Sequence, residues 1–196
     1  MNKLVHLPQF LYHGTTSQYI YLKDTSKIDF NYGDEFSDFG QGFYLTSIYE
    51  QALNWARFKV KLNSRFTTNK IIHPIIIKYK LDVESMLQNC DGIVLAEPNE
   101  KWAEFIYNNR VKSIKSISEF HNKDKRYDYI YGHLADGKLA IAIDRYSKSK
   151  FNIHDLLKDI FPYYPNSNDQ LSLHSSKVIN HLKYLETIHD TSYRKR

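Results

Sequence analysis

The stretch IIHPIIIKYKL, residues 71–81, constrains the fold more than any other part of the sequence. Its isoleucines are stiff at χ1, which suits a pleated strand better than a helix. Pro74 lacks the N–H that a sheet ladder needs, so this strand is expected at a sheet edge or a bulge. No apolar run in the chain approaches the roughly 20 residues that a membrane span requires. The N-terminal residues MNKLVHLPQFLYHG have neither the apolar stretch nor the small-residue cleavage site of a signal peptide. The expected compartment is the cytoplasm.

Other segments give a mixed pattern. Phe10–His13 reads as a strand running into a turn at Gly14-Thr15-Thr16, and Phe43–Thr46 as a second strand. A helix is expected next, opened by a Ser47–Glu50 capping box, with Ile48, Ala52, Trp55, Ala56 and Val60 on one face. Asn99 caps a helix that carries Trp102, Phe105 and Ile106 and ends near Arg110. Tyr127–Tyr131 and Lys138–Ile143 read as strands around the turn LADG. Asn152–Phe161 reads as a helix stopped by Pro162, and Leu171–His174 as a late strand. Ser175 opens a last helix with Val178, Ile179, Leu182 and Leu185 on one side. No repeat, low-complexity tract or linker divides the chain, so residues 1–196 form one α+β domain with a core at about 10–187.

Several chemistries drop out. A single cysteine, Cys90, excludes an internal disulfide and a cysteine-based zinc knuckle. The nine histidines lack ligand spacing such as HExxH, so no metal is expected. Residues 38–40 read Asp-Phe-Gly, yet a kinase needs a glycine-rich loop, a strand lysine and an HRD loop before that triplet. No Walker or dinucleotide-binding glycine motif is present either.

Positive charge is uneven. Seven Lys or Arg and no acid lie between Gln51 and Leu81, and six basic residues face Glu119 and Asp124 between Arg110 and Arg126. Such stripes either attract phosphate-bearing partners or form solvated helix faces. The 16 tyrosines either line a cleft or serve core and rim.

Five blocks in order carry a resemblance: LYHGT, DFGQGFYLT, QALNWA, WAEFIYNNR and YDYIYGHLADG. Together they resemble the ADP-ribosyltransferase superfamily, in its diphtheria-toxin and PARP-like branch. Within it they are similar to a bacterial family labelled only as a domain of unknown function. The resemblance implies two packed, mostly antiparallel sheets with a cleft for NAD and flanking helices. It implies NAD as substrate without a metal, single ADP-ribose transfer, and a macromolecular acceptor: RNA, DNA or protein. A small antitoxin protein is the implied partner, with a toxin–antitoxin or phage-defence role.

Residue by residue, His13 would hydrogen-bond a hydroxyl of the adenosine ribose. The Gly14 backbone would anchor the nicotinamide amide, beside Thr15, and Tyr44 would stack on the ring. Phe43 and Thr46 flank that tyrosine. Asp38, with Gly40, either shapes the loop that closes on NAD or braces the turn. Gln170 stands where the family usually has Glu; an amide cannot act as a general base. Asp136 is favoured over Glu104 as a substitute acid. Arg110 either pairs with the NAD pyrophosphate or caps its helix. The alternatives are a degenerate fold that binds NAD or ADP-ribose without transfer, and an RNA-binding or partner-binding module.

Overall fold

The computed structural model describes residues 7–63, 72–112, 118–135, 139–148, 152–162 and 168–193. Its first sheet has the order β1 (Phe10–Thr16), β3 (Pro74–Leu81), β7 (Leu182–His189), with both pairings antiparallel. The second has the order β2 (Phe43–Leu45), β6 (Asp169–Leu173), β5 (Tyr129–His133), β4 (Gly92–Leu95). Among the described residues, only β4 and β5 run parallel. The architecture is α+β, with two mostly antiparallel sheets and flanking helices.

Strand β3 is therefore central rather than at an edge. Pro74 is tolerated as its first residue, where its carbonyl still accepts the Asp190 N–H at 3.1 Å. The isoleucine run is continuous because both faces of β3 are covered. Ile75 and Ile77 face a core between the sheets with Leu11, Phe43, Leu45 and Leu171. Ile76 faces α1 (Tyr49–Asn63) on the other side, against Ala52 and Leu53. A second core lies beyond the second sheet: Phe39, Leu95 and Ile130 pack on Trp102, Phe105 and Ile106 of α3 (Glu100–Arg110). Helices α4 (Leu139–Lys148) and α5 (Ile153–Ile160) complete that side with Ile143 and Leu156. The layers run helix, sheet, sheet, helices.

Several sequence expectations give way to tertiary packing. Strand β1 does not turn at Gly14; it continues to Thr16 in register with Pro74. The capping box does not form at Ser47 and Glu50. Instead Thr46 Oγ1 accepts the Ile48 N–H (3.1 Å) and Asp169 Oδ1 accepts the Ser47 N–H (2.8 Å). Trp55 is 53% exposed, because α1 buries Ala52, Leu53, Ala56 and Val60. The expected strand at Lys138–Ile143 is helix α4, whose inward residues Leu139, Ala142, Ile143 and Tyr146 recur at helical spacing. The expected last helix is a single turn, α6 (Ser176–Ile179), followed by β7 on the remaining edge of β3. Helix α2 (Val83–Asn89) and strand β4 escaped the sequence reading. Asn99 caps α3 as expected, its Oδ1 accepting the Trp102 N–H at 3.2 Å.

Candidate functional site

The two sheets meet at one bridge, where Tyr12 and Thr46 exchange backbone bonds of 2.7 and 3.0 Å. Antiparallel pairing alternates, so successive residues of an edge strand point their backbone groups to opposite sides. The odd residues of β1 turn toward β3, shown by the Gln9 carbonyl accepting from Leu81 and the Ser17 N–H reaching His73. Tyr12 turns the other way, toward Thr46, and Gly14 follows it by the period of two. Among the described residues the β1–β2 pairing does not continue beyond this bridge, and the Gly14 N–H and C=O point into the buried gap between the two strands. Counting back from the bridge, Gly14 stands opposite Tyr44.

His13 spans this gap. Its ring is 9% exposed, stacks on Phe43 with centroids 4.3 Å apart, and bonds the Tyr44 carbonyl through Nδ1 at 2.8 Å. A carbonyl only accepts, so Nδ1 carries the proton and Nε2 is the acceptor nitrogen. Burial lowers the pKa to about 3, helped by the Lys59 charge and opposed by the Tyr44 bond. The imidazole is neutral at physiological pH. Gly14 lies beneath α1: a Cβ there would sit 1.9 Å from the Ala52 carbonyl oxygen. The need for glycine is thus explained by helix packing, without a ligand. Thr15 is buried in register with Ile75.

The loop from Asp38 to Gly42 is anchored from every side. The Tyr44 hydroxyl donates to the Gly40 carbonyl at 2.6 Å and accepts the Phe39 N–H at 3.0 Å. Burial and the neighbouring Asp38 charge push the pKa of that phenol strongly upward. Asp38, 4% exposed, accepts Arg110 Nε at 2.6 Å on one oxygen. Its other oxygen accepts Gln170 Nε2 at 2.9 Å and the Ala135 N–H at 3.4 Å. Gly40 adopts φ 85°, a left-handed conformation that glycine adopts without strain. The Gln41 carbonyl accepts from His174 Nδ1 at 2.9 Å, and His174 Nε2 accepts the Ser172 hydroxyl at 2.8 Å.

For Asp38 the bracing reading describes its contacts; Arg110 pairs with Asp38, which is neither of the two roles expected of it, pyrophosphate partner or helix cap. Gln170 is tied into the same cluster. A glutamate at that position would bring a second carboxylate against Asp38, so the amide suits it electrostatically. Tyr44 and Gln170 share the helix-facing side of the second sheet, whereas the His13 ring lies with Phe43 on the other. The structure therefore joins His13 to the main chain of Tyr44 and not to its ring.

One acid near the gap was missed from sequence. Asp169 accepts the Thr46 hydroxyl at 2.7 Å, the Ser47 N–H at 2.8 Å and the Tyr131 hydroxyl at 2.9 Å. It precedes Gln170 and points to the opposite face. Its signal was only the strand period, which turns neighbours apart. Glu104 lies in the helical layer and accepts the Ser118 hydroxyl at 2.8 Å, away from His13. Asp136 lies outside the described residues.

Residues 10–184 match the model of a family described as protein of unknown function (DUF3990). The chain is a DUF3990 protein. Nothing matches this DUF3990 chain among curated proteins or among solved structures. Among the described residues, no DUF3990 helix is long and apolar enough to cross a membrane. No group of three or more His, Cys, Asp or Glu among them could hold a metal ion.

Proposed function

We propose that this chain is an NAD-dependent mono-ADP-ribosyltransferase that modifies a macromolecule inside a bacterial cell, as the toxin or effector of a toxin–antitoxin or phage-defence system. The observation that carries this reading is the gap beyond the Tyr12–Thr46 bridge. There the neutral His13 is pinned to the Tyr44 carbonyl, and the Gly14 main chain points from β1 toward β2. On this reading the nicotinamide carboxamide pairs with the Gly14 main chain, while the Tyr44 ring, on the helix-facing side, holds the Asp38–Gly42 loop through its hydroxyl. His13 Nε2 accepts a hydroxyl of the adenosine ribose.

The chemistry follows from charge. The bond from C1′ to the nicotinamide nitrogen breaks, nicotinamide leaves neutral, and the ribose carbon becomes oxocarbenium-like. A nucleophile of the acceptor then bonds to C1′ and gives up its proton to water. A neutral imidazole suits its role, because Nε2 keeps the lone pair that accepts the ribose hydroxyl. Asp169, tied through Thr46 to the bridge, supplies the late-strand negative charge that Gln170 lacks.

A second reading, binding of NAD or ADP-ribose without transfer, is favoured by one contact: the Gln170 amide is already spent on Asp38. Incubation with labelled NAD and bacterial lysate separates the two. Transfer predicts label on a macromolecule, reduced at least about tenfold in His13→Ala and in Tyr44→Leu. Saturable NAD binding with no label supports the second reading. NAD affinity unchanged in both variants, with no label in any form, overturns both.

A further inference from the structure

On the far side of the Asp38–Gly42 loop lies a pocket of about 370 Å³, lined by Glu35, Phe36, Gln41, Asn122 and three lysines, Lys112, Lys123 and Lys125. The volume lies within the range of small-molecule and nucleotide sites. Three ammonium groups against one carboxylate make it electropositive. Lys112 rests over the Phe36 ring at 5.6 Å, and Lys123 donates to the Val111 carbonyl. Lys125 holds φ 55°, a conformation that lysine rarely adopts, and its Nζ reaches Asn31 Oδ1 at 2.8 Å.

Asn31 couples this pocket to an aromatic cluster. It lies in the short 3-10 turn Phe30–Tyr32, and its carbonyl also accepts Gln41 Nε2 at 2.8 Å. Beside it Tyr32 is 70% exposed; Tyr32 and Tyr21 pack on Tyr19 with centroids 5.5 and 6.0 Å away. Exposed rings beside a basic pocket combine what single-stranded nucleic acid requires: cations for phosphates and flat faces for unstacked bases. A duplex keeps its bases stacked and could use only the charges.

We propose that the Lys112–Lys123–Lys125 pocket and the adjoining Tyr19–Tyr21–Tyr32 cluster bind single-stranded nucleic acid, the pocket taking a backbone phosphate and the tyrosines taking bases. This names the acceptor class of the reaction proposed above and rests on that reading for its catalytic meaning. The binding itself needs no NAD.

The test is fluorescence anisotropy with labelled oligouridine and oligothymidine of about 12 nucleotides, within the footprint of such sites. Lys112→Ala combined with Lys125→Asn keeps a residue tolerant of the left-handed conformation at the second position. This variant is expected to bind at least about tenfold more weakly. Its slope of log affinity against log salt should fall by about 0.7, one phosphate's worth for a single strand. Tyr32→Ala should cost at least about fivefold, as base stacking does. Lys101→Ala with Lys158→Ala removes the same charge elsewhere and should change affinity less than about twofold. Equal losses in the two lysine pairs, duplex bound as tightly as single strand, or full displacement by about 1 mM pyrophosphate would each overturn the proposal. Because these measurements omit NAD, their failure and the absence of NAD labelling are separate results.

Discussion

The Asp38–Gly42 loop and the gap between β1 and β2 share Tyr44, and they treat polar atoms in opposite ways. In the loop, both Asp38 oxygens, the Phe39 N–H, and the carbonyls of Gly40 and Gln41 all have partners within the chain. In the gap, the Gly14 main chain faces away from its sheet, and only a histidine ring reaches across. The conspicuous polar side chains are spent on structure. In the gap the pairing of β1 with β2 stops after one bridge. A buried network that satisfies itself rigidifies its surroundings, whereas unpaired edge groups are available to a ligand.

The comparison can be broken most severely at the loop. Asp38→Ala leaves Arg110 without its partner and frees the Gln170 amide. Removing one member of a buried pair costs about 3–5 kcal/mol, and about 3 is expected here because the Arg110 side chain is 29% exposed. Urea denaturation measures it; a loss under about 1 kcal/mol would mean that the loop is not held by this pair.

Gln170→Glu is expected to cost about 2 kcal/mol at neutral pH, by setting two carboxylates together. The introduced carboxyl would have a raised pKa in the folded state, so the penalty should shrink as pH falls and that group protonates. A variant as stable as the wild type at pH 7 would contradict the contact. If the variant instead gained transferase activity, Gln170 would belong with the gap rather than the loop.

A third measurement probes the gap alone. Below pH 6.5 the unfolded chain protonates His13 while the folded chain, with its pKa near 3, does not. Stability should therefore fall by about 1.4 kcal/mol for each unit of acidification across that window. His174, with burial holding it at about 4, contributes in the same direction. In His13→Gln the slope between pH 6 and about 4 should lose one proton's share. A slope unchanged by that substitution would place His13 in solvent.

Much of the scaffold was legible because local and tertiary preferences agree. Phe43–Leu45 and Leu171–Leu173 alternate in polarity as strands do, and Asn99 announces α3. Where they disagree, packing wins. Leu182 and Leu185 fit a helix as well as a strand, and only the open edge of β3, a hundred residues earlier in sequence, decides. Trp55 looked like core, yet α1 is narrow against β1 and buries small residues instead.

The site divides similarly. His13 and Tyr44 were singled out through the family resemblance, and the structure brings the His13 ring to the Tyr44 carbonyl at 2.8 Å. The engagement of Gln170 could not be read, because its partner lies 132 residues away. Asp169 was hidden by its neighbour: in a strand, adjacent residues serve different faces, and a one-residue offset changes the chemistry entirely.

The separation between Asp38 and Gln170 has a temporal side. Translation proceeds at about 5–20 residues per second, so roughly 7–26 s pass between synthesis of the two residues. Strand β7, which closes the first sheet, emerges later still. During that interval a nascent chain displays His13 without the strands that shape its gap. Both sheets, and with them the surroundings of His13, are complete only when synthesis has nearly reached residue 189.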